Sequence, residues 1–596
     1  MSGCFGTTSR TSTASGSCMC VREGKRSLVW GHKAPQSSPK LARGRVILAQ
    51  VKGLGDVDRK TSLEHGATMT KTSVHWFRHG LRLHDNPALL ESVKDCEKFY
   101  AIFIHDGETA GTEVSGYNRM QFLTESLCDL DEQLRAVGGQ LFVFKGKPTA
   151  VIKMLHAEIG ITRLTFEQDC EAIWNKRDNQ VRSQCKELGI EIVEKIAHTL
   201  WDPFEIIDCN GGQPPLTYEM FVQVSAVLGP PERPVPDVKW DDVIFGEISD
   251  ELAMKLQLCP HIPTPAELGW NRECDEQSAY IGGETAALAH LQKRLKIEEN
   301  AFRDCYILPN QVNPDILGEP MSMSAALRFG CLSVRKFYWN IQDIYFELHK
   351  EIKPPFHSLT AQLIWREFFY CMSANNEAYN RMKGNPICID IPWRKDDEHL
   401  KAWTEGRTGY PFIDACMRQL RKEGWIHHVC RTAVACFLTR GDLWISWEDG
   451  LHVFLKYLID ADWSVCAGNW MWVSSSAFER QLDCSTCICP VNYGKRIEPT
   501  GDYIRRYVPE LASLPQDYIF EPWLAPKSVQ EAYKCIIGQD YPERIVIHAE
   551  ASKANRKMME SIREKMAVKP PHCCPSNVKE TRVFLRLPEA CYHNVL

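Results

Sequence analysis

The segment Leu458-Ile459-Asp460-Ala461-Asp462-Trp463-Ser464-Val465-Cys466-Ala467-Gly468-Asn469-Trp470-Met471-Trp472 sets two carboxylates among large apolar side chains and three tryptophans. A carboxylate in such surroundings needs a cation or hydrogen-bond donors, because an uncompensated buried charge is costly. Arg431, in Gly424-Trp425-Ile426-His427-His428-Val429-Cys430-Arg431, is a candidate partner. The plain reading is a structural ion pair in a helical core. The functional one is a buried site that presents charge to a ligand.

Working outward, the spacing of apolar residues predicts helices over 288–302, 325–348 and 361–372, so an all-α domain is expected over residues 286–565. Upstream the pattern changes. Strand-like runs at 73–77, 99–104, 140–144, 164–166 and 190–193 alternate with helical stretches. In one of these Tyr117, Met120, Leu123, Leu127, Leu130 and Leu134 fall on one helix face. His84-Asp85-Asn86-Pro87 reads as a cap followed by proline in the first turn. Strands alternating with helices predict a doubly wound parallel sheet over 72–205, and hence an α/β plus all-α chain. No G-x-G-x-x-G follows the first strand and no phosphate loop is present, so the sheet domain need not be a classical dinucleotide binder and any nucleotide cofactor must bind elsewhere. Residues 206–285, rich in Pro, Gly and Asp, are expected to connect the two domains, and 566–596 to form a tail.

Residues 1–68 are rich in Ser, Thr, Gly and Arg, with 11 basic against 4 acidic residues, and lack apolar periodicity. They are read as a disordered leader, or as upstream sequence with Met69 as the true start. A transit peptide is the alternative, but no amphipathic helix is visible. The remainder carries 59 basic and 72 acidic residues, the totals of 70 and 76 less the leader's share, so no general basic field for nucleic acid exists. No apolar run reaches membrane-spanning length. The 25 cysteines show no disulfide framework, which favours a reducing cytoplasmic or nuclear compartment. Cys484, Cys487 and Cys489 lack the second ligand pair of a zinc site and are read as loop thiols.

Several of these strings carry a resemblance. Residues 458–472, 424–440, Gln362-Leu363-Ile364-Trp365-Arg366-Glu367-Phe368 and Ser324-Ala325-Ala326-Leu327-Arg328-Phe329-Gly330-Cys331-Leu332-Ser333 resemble the flavin-binding core of the photolyase/cryptochrome superfamily. Trp76-Phe77-Arg78-His79-Gly80-Leu81-Arg82-Leu83-His84-Asp85-Asn86-Pro87 resembles its N-terminal start, and the match runs in order over about residues 72–565. Residues 460–480 and Pro570-Pro571-His572-Cys573 are most similar to the insect light-sensing, Drosophila-type cryptochromes.

The resemblance implies FAD folded inside the helical domain, and leaves open a pterin or deazaflavin antenna. Ser324 at a helix start, Gln362 and Arg294 would contact the phosphate or sugar portion. Arg431 and Asp460 would pair beside the ring, Ala461 and Asp462 would meet its edge, and His428 would lie toward the outer pocket. Cys466 matches the position facing flavin N5, where photolyases carry asparagine. A neutral thiol there favours the anionic over the neutral one-electron-reduced ring. Eleven of the 17 tryptophans lie beyond residue 285, and an excess of tryptophan ordinarily means packing. Trp470, Trp447, Trp393 and Trp444, however, match the family's electron-transfer chain from the flavin outward. Trp444 and Trp447 are expected on one helix face if that stretch is helical.

The rival reading is a six-four photolyase, an enzyme that flips a lesion into the pocket. That type uses two histidines four positions apart, whereas His428 is followed at that distance by Thr432, which cannot do imidazole acid chemistry. Functional binding of DNA lesions is therefore not expected. A third reading is a light-independent clock repressor, but those proteins commonly carry longer tails. The tail segment Thr581-Arg582-Val583-Phe584-Leu585-Arg586-Leu587 departs from the insect branch's aromatic pattern, with Phe584 and Leu585 left to plug the groove. The resemblance implies a circadian blue-light receptor in cytoplasm and nucleus, with no membrane attachment. Its implied partners are the clock protein Timeless and a ubiquitin-ligase adaptor, with Period as a further one.

Overall fold

Runs such as Thr72-Ser73-Val74-His75-Trp76-Phe77 suit a strand covered by helices on both sides. In the computed structural model they form β1 (Thr72–Phe77), β2 (Lys98–His105), β3 (Leu141–Lys145), β4 (Arg163–Glu167) and β5 (Glu191–Lys195). Every pairing is parallel, in the order β3-β2-β1-β4-β5, with Val74 opposite Tyr100 on one side and Leu164 on the other. This is the expected doubly wound sheet. His75, a polar residue in the buried β1, is accommodated by a 2.8 Å hydrogen bond to Thr165. The structure describes residues 71–107, 115–272, 278–303, 314–350, 359–478 and 487–565. The leader 1–68, Cys484 and the tail with Phe584 and Leu585 lie outside them.

The helix signals near β1 and β2 work as expected. Asn86 caps Pro87–Val93 by accepting from Leu89 N, with Pro87 in the first turn. In Tyr117–Ala136, Met120, Leu123, Leu127, Leu130 and Leu134 are buried on one face, while Tyr117 is partly exposed. The strand order reverses beside β1, the usual ligand crevice of such sheets. Ion pairs occupy it here: Arg78 with Asp178 and Arg177 with Asp169, both at 2.7 Å, with both guanidiniums over Trp76.

Beyond β5 the chain forms Pro203–Cys209 and Tyr218–Leu228, then runs back along the sheet edge. There Phe99 N donates to the Ile244 carbonyl, Gly246 N to that of Phe99, and Cys259 N to that of Val143. From Glu284 onward the described structure is helical, around a core that includes Trp403, Phe412, Trp447 and Trp463.

The single helix expected over 325–348 is two, Ser324–Arg328 and Val334–His349. Gly330 breaks it. Its φ is 66°, and a Cβ there would meet the His79 carbonyl oxygen at 1.8 Å. Ser333 then caps the second helix by accepting from Lys336 N. The break lets Asp85, which follows β1, pair with Arg335 at 2.6 Å, so a buried ion pair ties the α/β part to the helical part. The last described helix, His548–Lys565, packs Met559 against Trp444, Ile389 and Ile391.

Candidate functional site

Five helices and one turn place the candidate residues around one cavity of about 1560 Å³ in the helical part. That exceeds the roughly 300–1000 Å³ of ordinary small-molecule sites and has room for a dinucleotide. Arg294, Ser324, Gln362, His428, Arg431, Asp460, Asp462, Cys466 and Trp470 all line it, together with Thr432. They come from the helices Glu284–Arg303, Ser324–Arg328, Leu359–Ser373, His428–Cys436 and Trp463–Val473 and from the turn before the last.

The ion pair expected from sequence is present. Arg431 Nη2 lies 2.8 Å from Asp460 Oδ2, and Arg431 Nε donates to the Ile426 carbonyl at 2.9 Å. Burial works against the Arg431 cation, but Asp460 more than offsets it and raises its pKa. Ser324 begins its helix as expected and donates its hydroxyl to Asp460 Oδ2 at 2.5 Å. Asp462 caps Trp463–Val473 through Oδ1, which accepts from Val465 N at 3.0 Å, and its Oδ2 accepts from the Tyr370 hydroxyl.

Burial pushes the Cys466 thiol up to about 12, so it is neutral across the physiological range. Burial and then Arg431 lower the pKa of His428, which favours a neutral imidazole. Thr432 spends its hydroxyl on the His428 carbonyl at 3.1 Å.

One residue departs from expectation. Ala461 is fully buried and does not line the cavity. Its carbonyl instead accepts from Arg119 of the α/β part and from Arg328 at 2.8 Å. A methyl side chain between two cavity-facing carboxylates points into the core, and the Ala461 backbone supports the wall. Arg328 itself lies on the cavity wall and was not singled out in sequence, although an arginine inside the apolar run 325–332 is the available signal.

The cavity fits FAD by its unmet polar atoms. Asp460 Oδ1, Arg294 Nε and Arg328 Nη2 are buried without a hydrogen-bond partner among the described residues. Native structures rarely leave such groups unsatisfied. Arg294 suits an anionic phosphate portion and the Asp460 carboxylate a ring with N–H donors.

Of the four tryptophans, only Trp470 borders the cavity. Its ring lies on Gly450, where a Cβ would come within 2.2 Å, so the missing side chain lets the helices Trp463–Val473 and Trp447–Tyr457 meet closely. Trp447, fully buried, opens the second of these helices behind the Ser446 cap. Trp444 precedes that helix with φ 57°, so the stretch is not helical there, the condition on which the two would share a face is not met, and they share none. The serine cap starts the helix only at Trp447. Trp444 turns instead toward Trp393, ring centroids 4.8 Å apart.

Residues 358–561 match the family described as the FAD binding domain of DNA photolyase, and residues 73–237 match DNA photolyase. The chain is 52% identical over 537 residues to Cryptochrome-1 of Anopheles gambiae, covering 87% of this chain and 98% of that one. It is 51% identical over 532 residues to Cryptochrome-1 of Drosophila melanogaster, covering 86% and 98%. Among solved structures, the Synechocystis cryptochrome superposes with a TM-score of 0.70 at 26% identity, covering 82% of this chain and 99% of that one. With an FAD-sized cavity and these matches along both halves, the chain belongs to the photolyase/cryptochrome family and carries that family's FAD-binding domain.

Proposed function

We propose that this flavoprotein is a circadian blue-light photoreceptor of the cryptochrome type and not a DNA-repair enzyme. The observation that carries the choice is the outer cavity wall: Thr432, one turn beyond His428, has its hydroxyl committed to the His428 carbonyl. A hydroxyl so engaged has no acid that titrates near neutrality to offer a lesion. Cys466, neutral and buried, is the second departure from a repair site.

Bound FAD supplies blue-light absorption and one-electron chemistry. Trp470 at the cavity wall, buried Trp447 and the pair Trp393–Trp444 are the protein's electron supply, since indoles oxidise readily and close rings pass an electron on. Arg431 and Asp460 hold fixed charge beside the ring, and the neutral thiol of Cys466 withholds a ready proton from it. The resulting change of charge near His428 loosens the tail, residues 566–596, and frees a partner surface. The partners on this reading are Timeless, a ubiquitin-ligase adaptor and Period, in cytoplasm and nucleus. No helix among the described residues is long and apolar enough to cross a membrane.

One sample tests the choice. Blue-light absorption changes and repair of a lesion-bearing oligonucleotide are followed together in the FAD-loaded protein. Photoreduction without repair is expected, and lesion repair under light would overturn the reading. Tail proteolysis that is identical in light and darkness would remove the release step alone.

A further inference from the structure

Asp462 is served by a string of hydrogen bonds that begins outside the helical domain. Its Oδ2 accepts from the Tyr370 hydroxyl, and the Tyr370 oxygen lies 2.7 Å from His198 Nε2. All three residues are buried, at 5%, 1% and 8% exposure. Tyr370 belongs to the helix Leu359–Ser373, while His198 follows β5 in the α/β part. The string therefore runs from the sheet domain to the cavity wall.

Its direction follows from donor chemistry. An ionised carboxylate only accepts, so the phenol proton points at Asp462 and the phenol oxygen is left to accept. His198 must then carry its proton on Nε2. Its other nitrogen lies 3.7 Å from Glu167 Oε1, beyond hydrogen-bond reach. Burial, and after it Arg366, holds the His198 pKa well below its usual value, so the ring is neutral. Arg366 also lies over the Tyr370 ring, 4.5 Å from its centroid.

We propose that Tyr370, with its hydroxyl aimed by His198, is a positioning residue that sets how much negative charge Asp462 presents to the flavin ring. A hydroxyl donated to one carboxylate oxygen draws electron density onto itself, and a second donor behind it strengthens that pull. Without it the full charge of Asp462 faces the ring and disfavours electron uptake. Through His198 the α/β domain thereby takes part in tuning the flavin's reduction potential.

The inference rests on FAD binding beside Asp462, and the test separates the two. Full-length parent, Tyr370→Phe, His198→Leu and His198→Gln are purified, and flavin content and midpoint potential are measured in darkness. Tyr370→Phe is expected to keep FAD and to show a more negative potential. His198→Leu shifts the same way by less, and His198→Gln, whose amide N–H can still donate to the phenol, stays at the parent value. A flavin-loaded Tyr370→Phe with the parent potential, or a more positive one, overturns the proposal. If Tyr370→Phe fails to fold, equal potentials for His198→Leu and His198→Gln overturn it. A parent that holds no FAD refutes the cofactor assignment instead.

Discussion

Trp393 and Trp444 face each other with ring centroids 4.8 Å apart and planes at 52°, held by a Trp444 backbone in the left-handed region at φ 57°. The Trp444 Nε1–H donates to the Pro392 carbonyl at 3.0 Å, and Arg394 N donates to the Trp444 carbonyl at 2.8 Å. A non-glycine residue there carries roughly 1–2 kcal/mol of local strain, so the pairing is imposed by the surrounding packing. Trp444→Phe keeps an apolar ring but removes the donor and the oxidisable indole. It is expected to cost about 1 kcal/mol in urea unfolding and to lose most of the flavin photoreduction followed by absorbance.

The Arg431–Asp460 pair predicts a coupled loss of stability and cofactor. Asp460 is nearly buried, with only 3% of its side chain exposed. Arg431→Ala leaves that carboxylate without its cation, at an expected cost of about 3 kcal/mol. The purified variant should contain little FAD, read from its visible absorption, and should melt well below the parent.

His548 predicts a loss of stability in mild alkali. Burial opposes its cation, but Asp442, 2.7 Å away, and Cys489 lift its pKa to about 10. The unfolded value is about 6.5. This stabilisation is full below pH 6.5 and declines as pH rises toward 10. It should amount to about 2 kcal/mol, less than the whole shift implies because the side chain is partly exposed. His548→Gln should lower stability near pH 6.5 and flatten the fall between pH 7 and 10 in a denaturant series.

Gly330 tests the break between the two helices. Gly330→Ala would force a Cβ onto the His79 carbonyl while φ stays at 66°. A loss of at least about 2 kcal/mol is expected, with unfolding that loosens the junction first, visible as faster amide exchange in Val334–His349.

Cys466 tests how the cavity handles protons. With a thiol neutral up to about 12, illumination should give the anionic one-electron-reduced flavin spectrum throughout pH 6 to 9. Cys466→Asn supplies an amide that can donate and accept there, and is expected to move the spectrum toward the neutral form.

Much of the fold was legible because it depends on short-range pattern. Strand-like runs alternating with helical stretches announced a doubly wound parallel sheet, and Asn86-Pro87 announced its helix. The paired charges Arg431 and Asp460 could be matched because two carboxylates in an apolar run demand a cation. The helix break was signalled by Gly330 and Ser333, yet apolar spacing ran across it and concealed the junction with Asp85.

Sequence by itself determined the two kinds of domain and the carboxylate–arginine pair, through periodicity and charge balance, while its ordered motifs carried the family resemblance and with it the candidate residues that line the cavity. Only the tertiary structure decided that Ala461 serves through its carbonyl, that Trp444 turns to Trp393 and not along a helix with Trp447, and that His198 reaches Asp462 through Tyr370. Those relations join residues far apart in the chain through backbone oxygens, a left-handed turn and a directed hydroxyl. None of these leaves a mark on local spacing, because each is set by which groups packing leaves without water and so obliges to find one another.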